Sequence, residues 1–377
     1  MTRIVVFGFD AAESSQIRRI SSFQGAGYDV VAFTMRRDNM GADFVPTWRN
    51  IHLFKVANER IVRRLAVLFL SIFKIAWHRS AFRGADVIVA RNFDMLMLAF
   101  VGRLVALKPR LPIVYECLDI HGSFTAQSRA GALFRRIERF MLDRIALLVV
   151  SSPGFVRNYF EPVQRYHGPV YLMENKIWFG DTHPARRSSA ANVSGGDPWV
   201  LGWVGSLRCE PSLRILLRAA ERLGNRVRIE MHGNVHHHVL PDFEARIAAY
   251  PNIVYRGPYT YPHGLAAVYS ACDFVWAQDL WQAGANSDWL LPNRIYEASY
   301  FGCLSIAVAG METGRKVAAE ELGYTIATPD GDALVALLDA LDPAEVERRR
   351  QALLERDPAA FVSSSGDIYR MIEQVVA

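Results

Sequence analysis

At 377 residues, 51% hydrophobic and 21% charged, the chain is long and apolar enough for two packed domains, which excludes a disordered or fibrous protein. Its net charge of +5 is uneven: residues 1–180 carry 25 Lys or Arg against 14 Asp or Glu (+11), leaving 18 against 24 (−6) for residues 181–377. A basic first half points to an anionic partner, either a membrane lipid or a pyrophosphate-linked acceptor, while the lack of a recognised motif speaks against nucleic acid. The four cysteines (Cys117, Cys209, Cys272, Cys303) form no C-x-x-C pair and are expected to be reduced, buried thiols of a cytoplasmic protein. Met1–Asp10 lacks a secretory pattern, and no stretch reaches the roughly 18 apolar residues of a spanning helix.

Ile4–Phe7 reads as a buried parallel strand. Gly8–Asp10 turns, Ser14 or Ser15 is placed to cap a helix through Ile20, Gly25–Gly27 ends it, and Val30–Phe33 is the next strand, giving a βαβ opening. The first loop lacks G-x-G-x-x-G, so a dinucleotide cofactor is not supported. From Glu59 to Arg83, Arg60, Arg63 and Arg64 precede the apolar run Leu65–Phe73, and Lys74, Trp77, His78, Arg79 and Arg83 follow. Some thirteen apolar residues between basic ends are too few to span a bilayer. They suit either a helix lying in a membrane interface or one buried against a sheet. The helices expected over Met95–Leu107 and Leu133–Leu147 repeat the basic, apolar style and favour a membrane-facing first domain. Ala85–Ala90 and Pro112–Tyr115 are strands. Ligands of open α/β sheets sit beyond the carboxyl ends of strands, so Glu116, Asp119 and His121 are candidates to position or deprotonate an acceptor hydroxyl. A structural Asp–His pair is the plainer alternative. Ala146–Val150 and Val170–Leu172 complete the half, and Arg186–Pro198 is small, polar and aperiodic, as a linker would be.

A second α/β half starts with the strand Trp199–Val204, the loop Gly205–Arg208 and a helix opened by Pro211. Gly205 allows close backbone approach to a phosphate, which Arg208 can grip with its forked guanidinium. Val227–Met231 is a strand ending in His232-Gly233-Asn234. The run His236–His238 is not read as a metal site, because adjacent residues do not face one point. Ile253–Tyr255, a helix Leu265–Ser270, a strand Asp273–Ala277 and a loop Trp281–Trp289 lead to Leu290–Gly302. There Pro292 suits the first turn of a helix and Gly302 the turn after it, with a strand Leu304–Ala309 following. The unpaired N–H groups of that first turn, with Arg294 beside them, suit a phosphate. Glu297 lies on the same face and could accept hydrogen bonds from hydroxyls further along the ligand, such as a ribose diol. An ordinary Arg–Glu pair on a surface helix is the alternative. Pro343–Arg356 and Phe361–Val376 are expected to be the last helices.

Pro292-Asn293-Arg294, Glu297 and Gly302 resemble the nucleotide-sugar motif of the group 1 (retaining, GT4-like) glycosyltransferases. Gly205-x-x-Arg208 resembles that family's donor-diphosphate loop, with Cys209-Glu210-Pro211 where a Lys is usual, and Asn175 partly matches a Pro-Asn-Gly position. The resemblance implies an α/β GT-B fold, two Rossmann-like domains with parallel sheets facing across a cleft: an acceptor domain (1–180), a linker (181–198), a donor domain (199–358) and a helix (359–377) crossing back. It implies donor contacts from Gly205, Arg208, His232, Gly233, Asn286, Asp288, Pro292, Asn293, Arg294 and Glu297, the last at the ribose. Asp119, His121 and Glu297 form the expected catalytic set, and Gly8, Asp10 and Glu116 the acceptor side. The family's usual earlier Glu is missing, since Trp281–Tyr296 contains none; Asp288 or Asn286 would stand in. No metal and no cofactor is expected beyond a UDP- or GDP-linked co-substrate.

The expected activity is hexosyl transfer from a nucleotide-sugar to a hydroxyl of a lipid-linked or other saccharide acceptor, in cell-surface or exopolysaccharide assembly. The expected location is the cytoplasm, peripheral on the anionic inner face of the plasma membrane. Alternatives are a nucleotide-sugar epimerase or inverting transferase on the same fold, or a catalytically silent sugar-nucleotide-binding protein.

Overall fold

The computed structural model describes residues 1–37, 44–56, 61–180, 182–186 and 198–376, with backbone alone for Arg37, Val56 and residues 61–65. Arg60, the side chains of Arg63 and Arg64, and most of the expected linker (187–197) therefore lie outside what is described. The chain divides into two compact units, Met1–Glu174 with Ser364–Ala377, and Asn175–Ser363.

The first unit is built on β1 (Arg3–Gly8), β2 (Asp29–Arg37), β3 (Arg49–Val56), β4 (Ala85–Arg91), β5 (Ile113–Cys117), β6 (Leu147–Val150) and β7 (Val170–Leu172). They form one parallel sheet in the order β3-β2-β1-β4-β5-β6-β7. Its central strands are unbroken apolar runs because helices cover both faces of a parallel sheet; Ile4, Val5, Val6 and Phe7 have no exposed surface. The second unit repeats the plan with β8 (Trp199–Leu207), β9 (Val227–Val235), β10 (Ile253–Gly257), β11 (Phe274–Trp276), β12 (Leu304–Val308) and β13 (Gly323–Ile326). These are again parallel, in the order β10-β9-β8-β11-β12-β13. In each sheet the winding reverses beside the first strand, between β1 and β4 and between β8 and β11. Ligands of open α/β sheets bind at the carboxyl ends beside such a reversal.

The differences from the expected elements have local causes. β3 was not anticipated: its sequence RNIHLFKV alternates polar with apolar residues, as suits a strand at the sheet's edge. The helix expected from Leu133 begins at Arg129, because the Ser128 hydroxyl accepts the Gly131 N–H at 3.0 Å. The first helix, Ser14–Gly25, is capped at Glu13 without a side-chain bond, not by Ser14 or Ser15, and runs past Ile20. β13 and a helix at Gly331–Asp339 were also unanticipated.

The chain enters the second unit at Asn175, ahead of the expected linker. Ile177 pairs with Val362 in an isolated bridge. Arg186 donates to the carbonyls of Tyr300 (2.8 Å), Arg356 (2.8 Å) and Leu353 (2.6 Å). The terminal helix Ser365–Val376 belongs to the first unit, where Ile368, Met371 and Ile372 join the core of Ile4, Val6 and Ile20. Tyr369 donates to the Ala26 carbonyl at 2.9 Å and Tyr171 to that of Asp367 at 3.2 Å.

Candidate active site

In the second unit, the donor candidates cluster around the chain leaving β11. The helix Asn293–Tyr300 is capped by Pro292 in an extended conformation, with no side-chain cap. Pro292 thus precedes the first turn instead of opening it. The approach to the helix is held from two sides: Asn175 donates to the Leu291 carbonyl (3.2 Å) and Thr313 to that of Leu290 (3.1 Å). Pro292, Asn293 and Arg294 are half-buried. Arg294 donates to the carbonyl of Trp276, the last residue of β11, at 3.2 Å. Trp276 is fully buried, and its indole donates to Ser212 in the first turn of helix Glu210–Leu223 at 3.0 Å. Arg208 stands over the ring of Trp281 at 5.9 Å. Both arginines are therefore tied to the short segment 276–281, beside the winding reversal between β8 and β11.

Glu297, one turn after Arg294, is 4% exposed. Its carboxylate accepts a hydrogen bond from the buried Tyr269 hydroxyl at 2.8 Å. Burial, and then the charge of Glu297, push the hydroxyls of Tyr269 and Tyr259 up from their ordinary range, while Arg294 acts in the opposite sense. Tyr259 and Tyr269 are thus neutral neighbours of an Arg–Glu couple. Sequence reasoning missed both, because a tyrosine in a buried helix or loop carries no pattern of its own.

Gly205 and Gly233 are register partners on β8 and β9. A Cβ at Gly233 would fall 1.7 Å from the Gly205 carbonyl oxygen, so only glycine fits, whereas the space over Gly205 itself is open. His232 is half-buried beside Glu230 (Nε2 to Oε2 3.4 Å), a carboxylate also paired with Arg228 and Arg256. Burial lowers the imidazole pKa, with Arg256 adding to the fall and Glu230 opposing it, so His232 is neutral near pH 7. Asn286 is buried, and its carbonyl accepts the Leu290 N–H. Asp288 accepts the Gly284 N–H at 3.0 Å, pinning the loop that contains it. Among the described residues no group of three or more His, Cys, Asp or Glu is arranged to hold a metal ion. His236 meets Ser206 at 2.8 Å and His237 lies 3.7 Å from Glu244.

The acceptor-side candidates sit in the first unit, at the carboxyl ends of β1 and β5. Glu116, expected there as a titratable acceptor-side group, lies buried at the end of β5. Its carboxylate is 2% exposed and engaged on both oxygens, by Arg19 (2.7 and 2.9 Å) and by Arg91 (2.9 Å). Burial raises its pKa, but the two guanidinium groups outweigh that and hold it at about 2. In this arrangement Glu116 is the counter-ion of Arg19 and Arg91. Arg91 also donates to Gln16 at 2.8 Å, and the Gln16 side chain fills the place where a Cβ at Gly8 would go. Asp10 is fully buried and accepts the Ala12 N–H at 3.0 Å, as in a plain turn. Asp119 and His121 are exposed. His121 caps the short helix Gly122–Thr125, its Nδ1 accepting the Ser123 N–H at 3.2 Å. Of the residues around this end, Arg19, Gln16 and the left-handed Asn92 (φ 68°) were missed as parts of the cluster.

Two parallel sheets, each wound 3-2-1-4-5-6 with a seventh strand added to the first, and with cations and a buried carboxylate near the winding reversal of the second, define a GT-B glycosyltransferase. The comparisons agree. The glycosyl transferase 4-like domain matches residues 19–169. Succinoglycan biosynthesis protein ExoL of Rhizobium meliloti (strain 1021) is 31% identical over 378 residues, spanning 100% of this chain and 93% of that protein. This chain belongs to the group 1, glycosyl transferase 4-like family. Among solved structures of the same fold, sucrose-phosphate synthase from Thermosynechococcus elongatus superposes with a TM-score of 0.72 at 16% identity, covering 99% of both chains. HepE of Anabaena, solved in complex with UDP and glucose, gives 0.66 at 14% identity over 98% of both. WaaG, a glycosyltransferase of lipopolysaccharide biosynthesis, gives 0.64 at 14% over 99% of both.

Proposed function

We propose that this glycosyltransferase moves a hexose, with retention of configuration, from a UDP- or GDP-sugar to a hydroxyl of a lipid-linked saccharide during exopolysaccharide assembly. The observation that carries the reading is the couple of Arg294 and Glu297: a half-buried cation in the first turn of its helix, followed one turn later by a buried carboxylate held by Tyr269. The diphosphate lies against the N–H groups of that turn, Arg294 and Arg208. The open space over Gly205 lets the backbone approach it. Glu297, too acidic a neighbour for phosphate, accepts hydrogen bonds from the ribose hydroxyls. Asn286, Asp288, His232 and Gly233 line the rest of the donor.

In the transfer, the bond between the anomeric carbon and the β-phosphate oxygen breaks. The acceptor oxygen bonds to that carbon on the same face, and its proton passes to the departing diphosphate. Charge grows on the phosphate as the bond breaks, where preorganised cations and N–H dipoles stabilise the transition state. Asp119 and His121 orient the acceptor instead of acting as strong bases. The precedents in HepE, solved with UDP-glucose, and in ExoL, a succinoglycan biosynthesis protein, support the choice of donor and pathway. The acceptor is held at the cytoplasmic face of the membrane.

The test is transfer of labelled hexose from UDP- and GDP-sugars into a lipid extract, with the anomeric configuration of the product read by NMR. The reading predicts incorporation with a retained anomer. An inverted anomer would remove the same-face step, and sugar isomerisation without any acceptor would replace transfer by epimerisation.

A further inference from the structure

The helix Ile61–Trp77 buries Ile75 but leaves an aromatic stripe uncovered. Ser71, at its centre, is fully buried and donates to the Val67 carbonyl at 2.7 Å. Phe69, Phe73 and Trp77, spaced four apart and hence on one face, are 60%, 61% and 85% exposed. Phe69 and Phe73 pack edge to face, their centroids 5.4 Å apart, so the stripe is preformed.

The next two helices extend it. Helix Phe93–Val105 packs on Ile61–Trp77; Leu104 in its last turn and Leu107 just past its end are 69% and 83% exposed. Helix Arg129–Leu142 follows on the same side, with Phe93 facing Phe134 at 6.4 Å and Arg103 reaching the Arg144 carbonyl at 3.5 Å. It exposes Phe140 to 56%. The ends of these helices gather at the amino edge of the sheet. There the Arg83 carbonyl takes the guanidinium of Arg3, and the Ala85 carbonyl takes Lys108. Cations are interleaved with the apolar residues: exposed Arg79, Arg83, Arg110 and Arg144, the last stacked on Phe140 at 3.7 Å. Residues 61–110 hold nine Lys or Arg against two acids, Asp86 and Asp94.

We infer that this three-helix face docks on an anionic lipid bilayer, the aromatic stripe entering the headgroup boundary and the arginines meeting lipid phosphates. Exposed aromatics flanked by basic residues that outnumber the acids, exposed Asp86 and Asp143 among them, have the complementarity such a surface requires. A second copy of the same face would bring like charges together. Among the described residues no helix is long and apolar enough to cross a membrane, so the contact is interfacial. The inference rests on the reading of a membrane-held acceptor for its purpose, though its observations are separate from the donor site.

The test is co-sedimentation of the full chain with vesicles of about 30% phosphatidylglycerol in phosphatidylcholine, against pure phosphatidylcholine, at low and high salt. The same preparations are assayed for the thermal shift caused by UDP. Wild type is expected to sediment with anionic vesicles and to be released by high salt. The triple variant Phe69→Ser, Phe73→Ser, Trp77→Ser, and separately Arg79→Glu with Arg83→Glu, are expected to bind at least about tenfold more weakly with the UDP shift intact. Wild-type circular dichroism and wild-type protease resistance within residues 1–174 show that these exposed substitutions leave the fold in place. Wild type remaining in the supernatant overturns the inference. So does a triple variant that binds like wild type, or a stripe whose loss dissolves a dimer without affecting vesicles. Vesicle binding without a UDP shift would leave the docking face standing and remove the donor site.

Discussion

Tyr269 and Glu297 show what a single hydrogen bond does here. Glu297 was legible in the sequence from its spacing to Arg294, but its depth of burial and its tyrosine partner were not, since neither leaves a periodic trace. Replacing Tyr269 by Phe removes a donor to a buried carboxylate, at a cost of about 1 to 3 kcal/mol. The expected outcome is a lower unfolding temperature and a raised KM for the donor, with kcat less affected; wild-type values for both would show that the tyrosine holds nothing. Glu116 was legible as a polar residue near a strand end, but its ion pairs were not, because the two arginines that hold it lie 97 and 25 positions away in the chain. Glu116→Gln leaves those guanidinium groups buried without the carboxylate they share, and is expected to lose about 3 to 5 kcal/mol in denaturant unfolding. Its carboxyl is more acidic folded (about 2) than unfolded (4.5). The stability it supplies is therefore complete above about pH 4.5 and is lost as pH falls towards 2.

Glu138 has the opposite sign. It is buried, accepts from Tyr115 at 3.0 Å and from Gln164 at 2.6 Å, and also from Tyr159. Burial nonetheless lifts it to about 7 against these bonds. A carboxyl that holds its proton more tightly when folded contributes most below about pH 4.5 and progressively less as pH rises through 7. Thermal unfolding of Glu138→Gln is expected to depend less on pH between 5 and 8 than that of wild type; parallel curves would contradict this.

Among the elements, the strands were the most legible, because a parallel strand covered on both faces must be apolar throughout. The half-exposed β3 was the least. Helix Asn293–Tyr300 was located by its punctuation. Gly302 has φ 73° and a Cβ there would meet Leu354 at 2.9 Å, so the residue is fixed by backbone and by packing together. Gly302→Ala is expected to cost about 1 to 2 kcal/mol from the left-handed conformation alone, seen as a lower melting temperature; an unchanged temperature would mean that the turn relaxes. Helix Ile61–Trp77 marks the limit of periodicity as evidence. A helix apolar nearly all round reads alike whether it is buried or faces lipid. Only the exposure of Phe69, Phe73 and Trp77 separates the two.

For the whole molecule, the family and the two Rossmann-like units were readable from one motif and a succession of strands. The passage between the units was not, because Asn175–Arg186 follows no pattern that distinguishes a linker from a packed segment. The last helix contributes Ile368, Met371 and Ile372 to the core of the first unit, each worth about 1.5 to 3 kcal/mol when buried. A chain ending at Ser363 is expected to expose that core and lose the first unit's cooperative unfolding, visible as early proteolysis within residues 1–174. Equal protease resistance would show that the helix is dispensable.

The central claim is that Arg208 and Arg294, beside the winding reversal of the second sheet, grip a nucleoside diphosphate. Calorimetric titration of UDP and GDP into wild type and into Arg208→Ala with Arg294→Ala tests it most directly. The account predicts saturable binding of one nucleotide by wild type and a loss in the double variant of at least about tenfold, or 1.4 kcal/mol, with the fold retained by circular dichroism. Equal affinity in both proteins would contradict it.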